Sequence, residues 1–359
     1  MIAFCRWAAM HDIDFHVIAN GPKDPIFLTA YKEKVLFKRK SEDLDPDVFM
    51  SWVNHVVHKY GYDRVLILPT TEYLNRFLLE HREEIEAANC IVPLVEKGIY
   101  AEISDKKSFA SICRSFNLDV PEEFIDIPSG FPFVAKPMTY FSSTGRALYP
   151  YIILNRFGLE KFLSSEDTHE FFFQEYVAGR NIYLLGYIRK TGNDILFAQE
   201  NLMQQANGKS ILLARRSGFH QTPLAERYVE MLHKIGFAGL IMIELRVDKA
   251  GRHAVMIEAN PRLWGPMQFI VDNGIDLFGK FLQDHGFVVS PDENSSGRSD
   301  YYFWSGGISR SGQPITFHNY SADQFLEEFP AIRTCDIFLQ QGTFDLFLKE
   351  TNMGAFSEI

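Results

Sequence analysis

Cysteine is scarce in this chain, and what there is lies scattered: Cys5, Cys90, Cys113 and Cys335 are the only four in 359 residues. No CxxC pair occurs, so neither a disulfide framework nor a cysteine zinc site is expected, and the thiols read as reduced groups of a cytoplasmic protein. No apolar run reaches membrane-spanning length. The first dozen residues carry Arg6, His11 and Asp12 without a cleavable apolar core, so no secretory leader is expected. No GxGxxG occurs, which leaves a dinucleotide-dependent oxidoreductase without its fingerprint. Basic charge is also in deficit. A net charge of -10 lacks the footprint that duplex nucleic acid requires, although a local cluster of Lys and Arg could still hold a nucleotide.

What is present fits a soluble globular chain of two or three packed units. Hydrophobic residues make up 46% and charged residues 23%. The 32 Phe and 15 Tyr predict large aromatic cores.

The first hundred residues alternate strand-like and helix-like patterns. FHVIAN at 15–20 ends at Gly21-Pro22, and Asp45-Pro46 opens a helix with Phe49, Trp52, Val53, Val56 and Val57 on one side. RVLILP at 64–69 reads as a buried strand, followed by one helix over TTEYLNRFLLEHREEI. This βαβα rhythm implies a parallel sheet. The chain begins inside its first helix, so the unit is expected either to lack its first strand or to start upstream of Met1. A helix over 104–117 is expected with Ser104 as its cap, then a strand at PFVAKP and another at FFFQEYVAG. Thr222-Pro223 opens a further helix that stops at Gly236. GLIMIELRV and HAVMIEANP form a hairpin, SPDENSSGRSD at 290–300 reads as a surface linker, and the remainder is mixed.

The hairpin carries the chemistry. Side chains alternate across a strand, so Glu258 and Asn260 share a face, with Val255, Ile257 and Ala259 on the apolar side. Glu244 joins them if the turn is odd, and Lys249-Ala250-Gly251 is a suitable three-residue turn. Two carboxylates and an amide oxygen together suit Mg²⁺, which takes few protein ligands; a solvated face with scattered acids is the plainer reading. Pro261 then ends the strand, and Arg262 just beyond can hold a carboxylate or a phosphoryl group bidentately.

Glu258-Ala259-Asn260-Pro261-Arg262, with an acid fourteen positions earlier (258 − 244 = 14), resembles the metal-binding signature of the ATP-grasp superfamily. The likeness is to the carboxylate–amine ligase branch, which includes the carbamoyl-phosphate synthase large subunit, D-aspartate ligase and predicted ATP-grasp carboligases. It covers roughly residues 60–290 and is strongest over 239–278, where NPRLWGPMQFIVDNGIDLF stands. The resemblance implies a mixed α/β and α+β fold. An amino-terminal parallel α/β domain (pre-ATP-grasp, 1–100) would precede a two-subdomain ATP-grasp fold (101–290, with 130–185 covering the nucleotide) and a carboxyl-terminal extension (291–359).

It also implies roles, residue by residue. Lys106 of the Asp105-Lys106 pair would hold phosphates, with Lys107 as the neighbouring alternative; a plain solvated lysine would sit against the helix dipole there. Lys136, in the strand ending Lys136-Pro137, would be the second phosphate cation; amid Val134, Ala135 and Pro137 it needs an anionic partner or a snorkelling route to water. The covering loop TYFSSTGRA would use Ser143 and Gly145, although it has only one of the usual several glycines. Gln174 would meet the exocyclic amine of adenine, with the backbone of Glu175, Tyr176 and Val177 along the ring; a plain edge strand is the alternative. Asn181 stands where a ribose-binding residue, often Glu, is found. Lys209, Arg215 and Arg216 would lie on a flexible segment or on an ordinary charged loop. Thr70, Thr71 and Glu72 follow a strand at its carboxyl end and would form an acceptor site or cap a helix.

The implied cofactors are ATP and Mg²⁺, with Mn²⁺ as an alternative ion. The implied substrates are a small-molecule carboxylate and an amine, in a protein that could be a homodimer and that binds neither nucleic acid nor membrane. Arg262 and Lys136 would act in catalysis. The carboxylate would take the γ-phosphoryl group and the nucleophile would then displace phosphate. The rivals are an ATP-grasp phosphotransferase and a nucleotide-binding protein without catalysis.

Overall fold

The computed structural model describes residues 1–39, 44–139, 142, 144–146, 148–290, 299–311 and 314–353. Its amino-terminal part opens with the helix Ile2–Met10 and contains two parallel strand pairs, Val17–Asn20 with Val35–Arg39 and Val65–Leu66 with Cys90–Ile91. The expected parallel pairing is therefore present, divided between two short pieces. Helix Pro46–Tyr60 begins as its sequence dictates: Asp45 accepts the Val48 N–H, proline fills the first turn, and Gly61 closes the end at φ 66. Phe49 and Val53 sink from this helix into a core with Leu78, Ile85, Cys90 and Val92.

Two expected helices differ in detail. The single helix after residue 70 is two, Glu72–Glu80 and Arg82–Ala87, broken at His81. The helix expected from Ser104 is Lys106–Ser115, capped by Asp105, which accepts the Ser108 N–H at 2.8 Å. Ser104 instead ends the preceding helix Lys97–Ser104, because Asp105 adopts the extended conformation of a cap.

Two antiparallel sheets follow. The smaller orders Glu123–Phe124, Phe171–Glu175, Phe133–Pro137 and Tyr151–Ile153 beneath helix Arg156–Ser165. Its core is aromatic: Phe162 meets Phe171 and Phe173 edge to face, with centroids 5.1 and 6.3 Å apart. The larger runs Ala254–Asn260, Gly239–Val247, Arg180–Ile188, Ile195–Gln205, Ile211–Arg216 and Tyr301–Phe303, with Ile315–Phe317 also pairing to Ile195–Gln205. The smaller sheet therefore ends at Glu175, and Arg180–Ile188 already belongs to the larger one, short of the boundary at 185 read from sequence. The carboxyl-terminal extension is built in, contributing two strands to the large sheet.

The large sheet is buried on both faces. Leu240, Met242, Tyr183 and Phe197 pack with Trp7, Phe269 and Phe278 on one side. Ile241, Ile243, Leu245 and Ile182 pack with Phe109, Tyr228 and Met231 of two helices on the other. That strict alternation along Gly239–Val247 sets the direction of every functional side chain on it. Among the described residues, no helix is long and apolar enough to cross a membrane.

Candidate nucleotide and metal site

Glu244 and Glu258 are directly opposed across strands Gly239–Val247 and Ala254–Asn260, with Asn260 opposite Met242, so all three project from one face. The reason differs from the one the sequence suggested. The turn is even: Asp248 N–H donates to His253 O at 3.0 Å, leaving four residues, 249–252, between them. Asp248 Oδ1 also accepts the Arg252 and His253 N–H groups, and Gly251 takes φ 70. From that turn the ladder pairs Val247 with Ala254 and Leu245 with Met256, which would set Glu244 against Ile257. A β-bulge then skips Ile257 and restores Glu244 to Glu258. The apolar side of the second strand is accordingly Ala254, Met256 and Ala259, and Val255 and Ile257 are only half-buried.

The bulge also serves the next element. Lys136 is 4% exposed on strand Phe133–Pro137, and its Nζ donates to the Ile257 carbonyl at 2.8 Å. Burial pushes its ammonium down, as do Lys106 and Arg246, against the opposing pull of Glu258 and Glu244. Lys106 thus acts electrostatically on both Lys136 and Glu258. Lys107 lies over the Phe172 ring, 5.3 Å from its centroid, and Phe172 is the residue opposite Lys136 in the small sheet.

Burial raises the Glu258 carboxyl, yet Lys136, Lys106, the Asn260 amide and Arg262 outweigh it and hold the group below its ordinary range. At Glu244 burial wins, reinforced by Glu258, and the carboxyl lies high despite Arg246, Lys136 and Asn181. Two facing carboxylates of which one resists ionisation are a centre short of positive charge, which suits a hard divalent cation. Among the described residues no three His, Cys, Asp or Glu side chains converge for a metal, so the protein would offer this pair and an amide. Asn260 Nδ2 donates to Glu258 at 3.0 Å, and its Oδ1 accepts from Arg262 Nη2 at 3.2 Å.

Arg262 leaves the strand through a turn in which its N–H donates to Asn260 O at 2.9 Å, and its Nη1 donates to Leu263 O at 3.2 Å. Its Nε is buried without a partner. The residue lines a small cavity with Leu68, Pro69, Asn75, Tyr100 and Leu240. Of the acceptor candidates, Thr71 is a helix cap that accepts the Leu74 N–H at 3.2 Å, and Glu72 pairs with Arg76 at 2.7 Å.

Gln174 is buried in the small sheet between Glu123 and Val134. The Glu175 N–H is already donated to Glu122 O at 2.8 Å, leaving Tyr176 and Val177, outside the ladder, as the open stretch of backbone. Gly179 closes this linker at φ 145, and a Cβ there would lie 2.8 Å from Val247 O, so the approach of linker to strand admits only glycine. In the loop, Gly145 takes φ 81 in a turn whose N–H donates to Ser142 O at 2.9 Å, while Ser143 lies outside the described residues.

Asn181, expected beside the ribose, lies in the large sheet. Asn181 is 0% exposed, and its Oδ1 accepts from Asn201 Nδ2 at 3.1 Å on the sheet face that carries Glu244. Arg215 is held by Glu200 at 3.0 Å, Lys209 lies over the Tyr149 ring at 4.5 Å, and Arg216 is exposed. Sequence reading missed Arg246, which stands 3.5 Å from Glu244; its position two residues along the same strand face was the available signal. It also missed His318, whose Nδ1 meets Arg246 at 3.4 Å and whose Nε2 meets Gln204 at 2.9 Å. Nothing local marks that histidine, because strand pairing alone brings it there.

No family model matches the chain, and no curated protein matches its sequence. Solved structures do match. The biotin carboxylase subunit of a pyruvate carboxylase is 16% identical at TM-score 0.54, over 84% of this chain and 70% of that one. A biotin carboxylase–ATP complex from Campylobacter jejuni is 16% identical at TM-score 0.59, over 84% and 72%. The L-amino acid ligase of Bacillus licheniformis is 17% identical at TM-score 0.51, over 75% and 73%. At such identities the shared property is the fold.

Proposed function

We propose that this chain, which has the fold of the ATP-grasp enzymes, is an ATP-dependent ligase that activates a small-molecule carboxylate as an acyl phosphate and couples it to an amine. The observation that carries this reading is the opposed pair Glu244 and Glu258, with Lys136 and Lys106 acting on it and Arg262 wired to its Asn260.

Glu244, Glu258 and Asn260 would hold Mg²⁺, or Mn²⁺ in its place, and the cation would neutralise charge on phosphate oxygens. Lys106 and Lys136 bind and orient the nucleotide phosphates. Gln174 and the backbone at Tyr176 and Val177 receive the adenine edge, with Ser143 and Gly145 beside the phosphates. Arg262 orients the carboxylate for attack on the γ-phosphoryl group: the carboxylate oxygen forms the new P–O bond and ADP departs. The amine then attacks the acyl carbon and inorganic phosphate leaves, its proton passing to solvent. Positioning and electrostatics supply most of the catalysis, so no nucleophilic side chain is needed.

The test is a pairwise screen of amino acids and small organic acids for ATP-dependent release of inorganic phosphate together with a new amide. ADP appearing with a stable phosphoester, and no free phosphate, would identify a phosphotransferase instead.

A further inference from the structure

Three amide side chains stand on neighbouring strands beside the metal-site carboxylates. Asn181, Asn201 and Gln199 are each 0% exposed. Asn181 is directly opposite Asn201 on one side and Arg246 on the other, which makes it the diagonal neighbour of Glu244. Gln199 lies two residues before Asn201 on the same face.

Their hydrogen bonds run in one direction. Gln199 Nε2 donates to Asn201 Oδ1 at 2.7 Å, and Asn201 Nδ2 donates to Asn181 Oδ1 at 3.1 Å. The two ends of the row, Gln199 Oε1 and Asn181 Nδ2, are both buried without a hydrogen-bond partner. The donor end of the row is therefore Asn181, the one of the three whose strand pairs directly with the strand of Glu244. Burying three amides and leaving a donor and an acceptor unpaired is costly for a sheet core, where apolar residues would pack without that penalty. Such a row is intelligible if its donor end has work to do at the carboxylate.

We propose that Gln199, Asn201 and Asn181 are positioning residues that orient Glu244 toward a divalent cation bound with the nucleotide. The row rests on the reading of Glu244 as a metal ligand. Head-to-tail amides polarise one another, and the fixed Oδ1 contact of Asn181 leaves only its N–H group for Glu244. The carboxylate is thereby presented in one orientation, in the way that outer partners orient metal ligands generally.

The experiment titrates Mn²⁺ into the full-length protein with a non-hydrolysable ATP analogue, following free Mn²⁺ by electron paramagnetic resonance. Two near-isosteric variants are compared with the wild type. Asn201→Asp replaces the donor with an acceptor, so Asn181 must reverse its amide and turn oxygen toward Glu244. An added negative charge would by itself strengthen cation binding, whereas a reversed row weakens it, so the two accounts differ in sign. We expect Mn²⁺ affinity to fall about tenfold, with metal-free binding of the analogue unchanged. Gln199→Met removes only the tail of the row and keeps the volume; it should weaken Mn²⁺ several-fold, by the same outer-partner effect, and it decides the matter if the aspartate variant fails to fold. Equal or tighter Mn²⁺ binding by a folded variant overturns the proposal alone. A wild-type protein that binds no Mn²⁺ overturns it together with the metal reading beneath it.

Discussion

Lys136 donates from Nζ to the main-chain oxygen of Ile257 at 2.8 Å, and Ile257 is the residue that the ladder between strands Gly239–Val247 and Ala254–Asn260 skips. One irregularity thus does two things. It restores Glu258 to the face of Glu244, and it offers a carbonyl to the buried lysine of the other sheet. The small and large sheets meet at that bond, where a nucleotide would lie.

Lys136→Ala should leave the fold intact and weaken MgATP binding by roughly ten- to a hundredfold, the effect of losing one charge-assisted contact. Turnover should be abolished. Calorimetric titration measures the first effect, and normal binding by the variant would place the nucleotide elsewhere.

Arg262 separates catalysis from binding. Its guanidinium is tied to Asn260, at the end of the strand that carries Glu258. Arg262→Ala should lower kcat by roughly a hundredfold or more, with MgATP affinity changed much less. Arg262→Lys keeps the charge but loses the planar fork, so it should also be impaired. Near-normal turnover in a verified assay would reduce Arg262 to an end-cap of its strand.

Gly179 tests the linker. A methyl group there meets Val247 O at 2.8 Å with φ at 145. Gly179→Ala should destabilise the protein by about 1–3 kcal/mol and weaken nucleotide binding, because strand Arg180–Ile188 must move with the linker. Urea unfolding beside nucleotide titration reads both; an unchanged midpoint would show that the close approach can relax.

His318 predicts a pH dependence. Burial, and then the Arg246 cation, push its imidazole from 6.5 down to about 4. The folded state therefore resists a proton that the unfolded chain accepts below 6.5. Stability contributed by the neutral ring is complete above that value and is lost as pH falls from 6.5 toward 4. The full effect is at most about 3 kcal/mol, from the size of the shift. His318→Gln should flatten the change in urea midpoint between pH 7 and pH 5. An identical pH profile in the variant would mean that the imidazole takes up protons without cost.

Much of the site was legible because its marks are local. Asp45-Pro46 and Thr222-Pro223 open helices where capping chemistry says they must, since a cap is decided within three residues. Glu258 and Asn260 share a face because strands alternate, whatever else the chain does. Asp105 replaced Ser104 as a cap because two candidates one residue apart cannot be ranked without knowing where the preceding helix ends.

The sequence by itself determined the acidic pair, the basic residues that could face it, the arginine beyond it and the aromatic cores. All of these follow from residue chemistry and short-range periodicity. Tertiary structure decided the rest. It set the parity of the hairpin through the bulge at Ile257, laid Lys107 over the Phe172 ring, tied Arg215 to Glu200 and bonded Asn181 to Asn201 on the face of Glu244. It also brought His318 of the extension against Arg246. Register and pairing between distant strands depend on the free energy of the whole sheet, and an extra residue in one ladder reverses every side chain beyond it. No local pattern records that sum.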